Sequence, residues 1–458
     1  MSVATLATPS SDGVLQRVAA VRGWLATVDG AEIGDADRVS LLSELEALKA
    51  TAAAAQARVT AAYAASHTAD LIAAGAPIAL ARRAVGSQVA LARRESPTRG
   101  DQHVGAARAL TREMPATLTA LTEGRISEWV ATIMVRETAV LTLEHRAAVD
   151  ARLAGDLPRL SATQVARAAR RVSAELDAAA IVARIERAVA ARRVSIRPAA
   201  DGMAYLTVLG PLHETVGAYA ALRAHADAVV TGQAAEEPAG RGRSAVMADT
   251  ALQRLCGRAS GQAQPVEIQL VMTDWALLGV GDPARATSEP AHLPGHGPVP
   301  ASLARAWAAD PAAAVWVRRL YTTPDGRDLT ATDSRRRLFT GGLRRMLVLR
   351  DQTCRTPYCD APIVDADHTA AHHAGGPTSL ANATGLCQRC HHTKDTPGWR
   401  VDTISAEAPG SPPHTIEVTT PTGHRHRSTA PPILGWGWSP PEPASPLEAH
   451  LRRLLNAA

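Results

Sequence analysis

The stretch "LCQRCHHTKD", residues 386–395, places two cysteines and two histidines within six positions. With an earlier pair it gives the spacing Cys354-x4-Cys359 and Cys387-x2-Cys390, with 27 residues between the pairs. Two closely spaced thiolate pairs are typical of a closed tetrahedral zinc site, because Zn²⁺ prefers soft ligands and imposes no geometry of its own. We therefore predict a structural Zn²⁺ bound by these four cysteines. The alternative, four reduced cysteines without a metal, requires four of the chain's five cysteines to cluster by chance.

The residues around the second pair are suited to hydrolysis. The stretch "DADHTAAHHAGGPTSLANATGLC", residues 365–387, contains adjacent Asp367 and His368, then Asn382, and His391 follows the second pair. Hydrolysis of a phosphodiester requires an activated water, a Lewis acid and stabilisation of the leaving oxygen. Histidine suits a general base because its ordinary pKa lies near neutrality. We expect His368 to activate water while Asp367 and His391 bind a divalent cation.

The region from about residue 350 to 399 resembles an HNH endonuclease domain, which has the ββα-metal fold. In that family an Asp-His pair ends a first strand, an Asn lies in the next loop, and the last His lies on a short helix after the second zinc knuckle. The resemblance implies that His368, Asn382 and His391 are catalytic and that Asp367 and His391 bind Mg²⁺ or another divalent cation. It also implies that Asn382 orients its loop and helps to hold either His368 or the metal. The family usually has leucine after the Asn, whereas Ala383 stands here, which predicts looser packing beneath Asn382.

Other histidines in this region have open alternatives. His391 is an alternative zinc ligand, because the order Cys-x2-Cys-His offers a choice of ligands. His372 and His373 are either accessory ligands or exposed loop residues, and we expect His392 to lie outside the site. Further upstream, His292 and His296 have a metal-like spacing but no accompanying Cys or Asp, so we expect them in a loop.

The net charge of the chain lies in this same region. Residues 315–400 hold 13 Lys and Arg against 8 Asp and Glu, an excess of five that equals the net charge of the whole chain. A localised basic surface is the expected footprint of a polyanion-binding protein, although solvated surface arginines are the alternative. We predict DNA as the partner, with contacts from Arg344, Arg345, Arg389 and Lys394.

The N-terminal part has a helical pattern. The stretch "SATQVARAARRV" from Ser161 begins with a Ser-x-x-Gln capping box, and Val165, Ala168, Ala169 and Val172 share one helix face. The region from about residue 30 to 230 resembles the actinobacterial group in which a helical domain of unknown function, numbered 222, precedes an HNH domain. From residue 194 the period changes to that of strands, and Asp201-Gly202 is typical of a hairpin turn.

These patterns predict an α+β multidomain protein with a mostly helical N-terminal domain, a mixed α/β middle region and a C-terminal zinc-stabilised ββα-metal domain. The Pro- and Gly-rich stretch at residues 289–302 is expected to be an irregular connection. The stretch "HTIEVTTPTGHRHRS" is expected to form one more hairpin. The expected boundaries are residues 14–235 for the helical domain, 236–312 for the middle region, 313–430 for the nuclease domain and 431–458 for a Pro-rich tail with a short terminal helix.

Nothing in the sequence indicates a membrane protein. The N-terminus lacks the basic and apolar regions of a signal peptide, and no stretch reaches the ~18 consecutive apolar residues of a membrane span. We expect a cytoplasmic protein, and a homodimer is one alternative for its oligomeric state. The predicted function is a metal-dependent HNH endonuclease that hydrolyses DNA, and the alternative is a non-catalytic, zinc-stabilised nucleic-acid-binding protein.

Overall fold

The structure is a computed structural model that describes residues 11–200, 203–235, 239–257, 270–273, 276–277, 289–293, 297–309, 339, 341–405 and 413–433. Its helices are α1 Ser11–Leu25, α2 Asp35–Ala73, α3 Ile78–Arg93, α4 Pro97–Arg112, α5 Pro115–Thr122, α6 Glu128–Glu137, α7 Leu143–Leu153, α8 Ala162–Leu176, α9 Ala178–Ala190, α10 Leu212–Val230, α11 Arg243–Cys256, α12 Ala301–Ala308, α13 Gly341–Asp351 and α14 Gln388–Lys394. Its strands are β1 Arg193–Pro198, β2 Ala204–Leu209, β3 Ala291–Leu293, β4 Gly297–Val299, β5 Asp365–His368, β6 Ala383–Leu386, β7 Arg400–Ser405, β8 Thr415–Thr419 and β9 Arg425–Thr429. The protein is therefore mostly helical, with small sheets. No helix in the described part of the chain combines the length and apolarity needed to span a membrane.

The chain divides into two compact units that alternate along the sequence. The first contains residues 11–59 and 107–177, and the second contains residues 60–106 together with the described residues from 178 onward. The core of the first unit is rich in small side chains, among them Ala53, Ala54, Ala131 and Ala169. Small side chains allow helix backbones to approach closely, which suits a chain with only 3% aromatic residues.

The helix that begins after Ser161 confirms the predicted capping box. The Ser161 hydroxyl accepts from the backbone N–H of Gln164, and the Gln164 side chain accepts from the Ser161 N–H. Val165 and Val172 are buried on its inner face. The reciprocal bonds satisfy two backbone donors that would otherwise be unpaired at the helix start.

One short hairpin follows α9, before residue 235, and another lies in the middle region at 236–312. β1 and β2 pair antiparallel, as predicted around Asp201-Gly202, although those two turn residues lie outside the described ones. The expected irregular connection at 289–302 is wrong in part, because β3 and β4 pair within it and α12 begins at Ala301. His292 lies in β3 and not in a loop. Its side chain is buried there, and its Nε2 lies 3.0 Å from Oε1 of Gln352. His296 lies outside the described residues.

The C-terminal region places an antiparallel pair of strands beside two helices. β5 pairs with β6 in the register Asp367 opposite Thr384, and both α13 and α14 contact this pair. A three-stranded antiparallel sheet follows in the order β7–β8–β9, which confirms the predicted hairpin and adds β7 to it. The expected tail helix falls after residue 433, outside the described residues.

Candidate functional site

Four buried cysteines form one cluster, and they are the four that the spacing predicted. Their sulfur atoms lie within 4.8 Å of one another, with Sγ of Cys359 3.7 Å from that of Cys390 and 4.0 Å from that of Cys387. Four thiolates at Zn–S bonds of ~2.3 Å around a tetrahedral centre are ~3.8 Å apart. The cluster, completed by Cys354, can therefore bind a metal such as Zn²⁺.

Local backbone contacts hold the cysteines in place. The N–H of Cys354 donates to the carbonyl of Ala361 at 2.9 Å, which closes the first knuckle. Cys387 caps the start of α14, and its sulfur accepts from the N–H of Cys390. Hydrogen bonds from the other three thiols lower the pKa of Cys387. These contacts hold the four sulfur atoms together, and a soft metal ion would bind them as thiolates.

α14 presents His391 and Lys394 to one face of β5. Nδ1 of His391 lies 3.1 Å from Oδ2 of Asp365, and its Nε2 lies 3.6 Å from Oδ1 of Asp367. The ammonium of Lys394 donates to Oδ2 of Asp367 and, at 2.7 Å, to the carbonyl of His368. The predicted cation ligands Asp367 and His391 are thus brought together. His391 turns toward these carboxylates and does not replace a cysteine in the cluster.

Asp365, which approaches Nδ1 of His391, belongs to none of the predicted motifs. Alternate residues of a strand face the same side, so Asp365 and Asp367 share a face of β5. The strand β5 ends in the Asp-His pair, and its period of two predicts that Asp365 lies on the same face as Asp367.

His368 faces the other side of the strand end. Its Nε2 lies 2.8 Å from the hydroxyl oxygen of Thr378, and its ring is 4.6 Å from that of Phe339 and 5.4 Å from that of His372, measured between centroids. The side chain is buried, with 9% of its surface exposed. Since Asp367 and His368 are neighbours on alternate faces, a phosphodiester that engages both must lie across the end of β5.

Asn382 holds the loop between the two strands. Its Oδ1 accepts from the N–H of Ala370 at 2.8 Å, and its Nδ2 donates to the carbonyls of Ala370 and Pro377 at 3.0 and 2.8 Å. A Cβ at Gly376 would lie 1.9 Å from the Ala370 carbonyl oxygen, and Gly375 has φ +90°, so both glycines are required here. The amide of Asn382 is thus engaged with loop backbone, as an orienting role requires.

The position after Asn382 is closely packed. Ala383 is fully buried in a core that also contains Phe339, Leu343, Leu347 and Leu380. Ala383 is thus enclosed by large side chains, and the looser packing expected from alanine in place of leucine stays a prediction.

A buried ionic network, to which no sequence motif pointed, connects α13 to the β5–β6 pair and to the β7–β8–β9 sheet. Asp351 accepts from Nε of Arg350 at 2.7 Å, from Nη1 of Arg355 at 2.8 Å and from the N–H of Gly385 at 2.7 Å. Arg350 also donates to the Ala383 carbonyl of β6 at 2.6 Å, and Arg355 to the Ser428 carbonyl of β9 at 2.6 Å. Burial alone would raise the pKa of Asp351, but the two guanidinium groups and the Gly385 N–H outweigh it and hold that pKa below its usual range.

His414 completes this network as a neutral side chain. Its Nε2 lies 3.0 Å from the carbonyl of Ala381, which can only accept, so Nε2 carries the hydrogen. Its Nδ1 lies 3.5 Å from Nη1 of Arg355 and accepts from it. Burial, together with the positive charges of Arg350 and Arg355, lowers the pKa of His414 to about 3.

The predicted DNA contacts differ in their surroundings. Arg389 pairs with Asp101 and approaches Ser87, Lys394 pairs with Asp367, and the Arg344 guanidinium donates to the Val364 carbonyl at 2.8 Å. Arg345 is exposed, as is Arg344. Residues 315–338, the first part of the predicted basic region at 315–400, lie outside the described residues.

The remaining histidines lie around the edge of the site. His372 and His373 belong to a single 3-10 turn and are exposed. His392 is exposed too, and its ring stacks on that of His391 with centroids 5.8 Å apart.

Comparison with known proteins places most of the chain in one family. The family model described as Domain of unknown function (DUF222) matches residues 42–351, which is about two thirds of the chain and ends with α13. This match confirms the predicted resemblance of the helical region. Asp101 and Asp351 lie inside the matched range, whereas the four clustered cysteines and the Asp-His pair lie beyond it. No HNH nuclease family model matches the chain, and neither a curated protein nor a solved structure does so.

Proposed function

Because the chain belongs to the DUF222 family, whose description assigns no function, we propose a function from the site beyond the matched range: a metal-dependent endonuclease that hydrolyses DNA. The observation that carries the proposal is the convergence of Asp367 and His391 on one face of β5, next to His368 at the strand end. The clustered cysteines would hold a structural Zn²⁺ that fixes the start of α14 and therefore the position of His391.

The residues on β5 and α14 fit a second, exchangeable divalent cation. Two ligand atoms on adjacent octahedral positions lie about 3.0 Å apart when each bond is about 2.1 Å. The 3.6 Å between Nε2 of His391 and Oδ1 of Asp367 exceeds that separation, so the two atoms would move closer together on binding the ion. An imidazole ligand favours Mn²⁺ and later transition metals over Mg²⁺, so the proposal includes both kinds of ion. When bound, the cation would act as a Lewis acid on the phosphate and stabilise the leaving oxygen.

His368 is proposed as the general base. A neutral imidazole at this position would take a proton from the attacking water, and the Thr378 hydroxyl, 2.8 Å from Nε2, would orient the ring. The water oxygen bonds to phosphorus as the bond to O3′ breaks, which leaves a 5′-phosphate and a 3′-hydroxyl. Asn382 would keep the loop that carries Thr378 in place through its bonds to Ala370 and Pro377.

A second candidate function is a non-catalytic, zinc-stabilised DNA-binding protein. The observation in its favour is Lys394, whose ammonium neutralises Asp367 and binds the carbonyl of His368. In that arrangement the carboxylate is satisfied without a second metal. The nuclease requires an exchangeable cation beside the structural zinc, and the DNA-binding protein requires the zinc alone.

Incubation of the purified chain with supercoiled plasmid tests the proposal. Reactions with Mg²⁺, with Mn²⁺ and with EDTA are compared for the wild type, His368→Ala and His373→Ala. The last variant is the matched control, because it removes an exposed histidine five positions away without changing the proposed base. We expect metal-dependent nicking by the wild type and the control, and a loss of roughly 10²–10⁴-fold in His368→Ala.

Zinc content and DNA affinity of each variant complete the test. If all three proteins contain equal zinc and bind DNA equally, a lower rate of nicking in His368→Ala is due to loss of the base alone. If the wild type binds DNA but does not nick it with either metal, the nuclease proposal is wrong and the binding protein is supported. Undiminished nicking by His368→Ala would show that His368 is not the base.

A further inference from the structure

We infer that Asp365 is a positioning residue that fixes the tautomer of His391 and thereby makes its Nε2 available as a ligand for the second divalent cation. This inference rests on the cation site of the proposed function, and it adds a residue to which the sequence pattern assigned no role. It is carried by the unequal distances on the two sides of one imidazole ring.

On the Asp365 side the distance is that of a hydrogen bond. Nδ1 of His391 lies 3.1 Å from Oδ2 of Asp365, and an ionised carboxylate can only accept. The hydrogen therefore resides on Nδ1. A neutral imidazole carries one hydrogen, so the other nitrogen, Nε2, has the lone pair.

On the Asp367 side the distance is too long for a hydrogen bond. Nε2 lies 3.6 Å from Oδ1 of Asp367, beyond the usual limit of about 3.2 Å for an N–H···O bond. Asp367 already pairs with the ammonium of Lys394, so the ring contacts the two carboxylates unequally. The gap exceeds the separation of about 3.0 Å between two ligand atoms on one octahedral ion, so Nε2 and Oδ1 would move closer together when they bind the cation.

The surroundings are consistent with a role in positioning rather than in stability. About a third of each side chain is exposed, 34% for Asp365 and 33% for His391. Exposed ion pairs of this kind contribute little to folding. Metal-binding histidines, by contrast, very often donate their other N–H to a carboxylate, which orients the ring and raises its basicity as a ligand.

Mn²⁺ is the probe for the test, since it favours imidazole more than Mg²⁺ does and its free form is measured directly by electron paramagnetic resonance. Zinc-loaded full-length protein is titrated as wild type, Asp365→Ala, Asp365→Asn and His391→Ala. Asp395→Asn serves as the matched control, because it removes an exposed carboxylate one turn from His391 and changes the net charge equally. We expect one Mn²⁺ per chain in the wild type and the control, binding about 10–100-fold weaker in Asp365→Ala, and no binding at this site in His391→Ala.

The Asp365→Asn variant and the ¹⁵N resonances of the His391 ring distinguish the orienting effect of Asp365 from the effect of its negative charge. The amide oxygen of Asn can still accept from Nδ1–H, so this variant should retain more affinity than Asp365→Ala. Histidine ¹⁵N spectra, with the His391 signals assigned by their loss in His391→Ala, should show hydrogen on Nδ1 in the wild type and a shift toward Nε2–H in Asp365→Ala. A purely structural role would leave that tautomer unchanged.

The outcomes distinguish this inference from the proposed function. Loss of Mn²⁺ affinity in Asp365→Ala supports the inference even if no variant cleaves DNA, in which case the nuclease alone is wrong. Wild-type affinity in Asp365→Ala, with binding abolished in His391→Ala, overturns the inference and leaves the cation site in place. A wild type that binds no Mn²⁺ beside its zinc, or Asp365 variants that lose zinc and fold together, overturns the inference as well.

Discussion

Arg389 of α14 forms an ion pair with Asp101 of α4, which lies 288 residues earlier in the chain. A Cβ at Gly86 of α3 would lie 1.9 Å from Oδ1 of Asp101, so glycine at this position leaves the space that the carboxylate occupies. Trp399, shortly after α14, packs against the small core that contains Leu71 and Val85. The family domain therefore directly contacts the helix that carries Cys390 and His391.

The pair of Asp101 and Arg389 predicts an unusual response of DNA binding to mutation. Asp101→Asn should release a guanidinium for a phosphate, strengthen binding at low salt and steepen the dependence of log affinity on log salt by about one. Arg389→Ala should change binding little, because the charge is already neutralised. Fluorescence anisotropy over a series of salt concentrations measures both, with Asp12→Asn, an exposed carboxylate of α1, as control. Weaker binding in Asp101→Asn would show that the pair supports the DNA-binding surface instead.

The cysteine cluster predicts one tightly held zinc per chain. Cys390→Ser opens the coordination sphere, so zinc, the position of α14 and thermal stability should be lost together. Cys256→Ser is the matched control, because Cys256 is exposed and lies outside the cluster. Elemental analysis after mild EDTA dialysis, combined with thermal melting, measures both properties. Less than about half an equivalent of zinc in folded wild-type protein would contradict a zinc site.

The buried network around Asp351 predicts a large cost for removing its charge. Asp351→Ala leaves two buried guanidinium groups without their counter-ion, and the expected loss in free energy of unfolding is about 3–5 kcal/mol. Asp360→Asn, at an exposed position nearby, should change stability by less than about 0.5 kcal/mol. Urea unfolding of zinc-loaded protein gives both values. A loss of under about 1 kcal/mol in Asp351→Ala would show that the network contributes little.

His414 predicts a loss of stability in mild acid. Its pKa in the folded protein is about 3, below the ordinary value of 6.5, so folding favours the neutral ring. The contribution of His414 to the free energy of unfolding is complete above pH 6.5. It is lost as the pH falls from 6.5 toward 3, because the unfolded chain then binds a proton that the folded chain excludes. The expected loss is on the order of a few kcal/mol.

His414→Gln isolates this effect, since an amide can still donate to the Ala381 carbonyl but does not titrate. Burial also lowers the pKa of His292 and of His426, so part of the acid sensitivity belongs to them and should persist in the variant. Unfolding free energies between pH 7 and 4 should therefore fall less steeply in His414→Gln. Parallel curves for the two proteins would exclude His414 as a source of the pH dependence.

Local spacing made several features of the site predictable. The interval between the cysteine pairs predicted four sulfur atoms that the structure brings within 4.8 Å. The Ser161 capping box and the hairpin around Asp201-Gly202 depend on residues a few positions apart, and both are present. Asp365 was not predicted, because the Asp-His pair contains only one carboxylate. The period of two along β5 places a second carboxylate, that of Asp365, on the same face.

The sequence by itself determined the chemistry of the ligands: soft thiolates at zinc spacing, an Asp-His pair at a strand end, and a histidine after the second cysteine pair. Only the tertiary structure decided which partners these side chains have. It pairs Asp101 with Arg389 and Lys394 with Asp367. It also places Asp351 between two arginines inside the core. The physical reason is one of range. Spacing along a strand or helix fixes which residues share a face, whereas ion pairs between residues far apart in sequence depend on how the elements pack, and burial then decides what those pairs are worth.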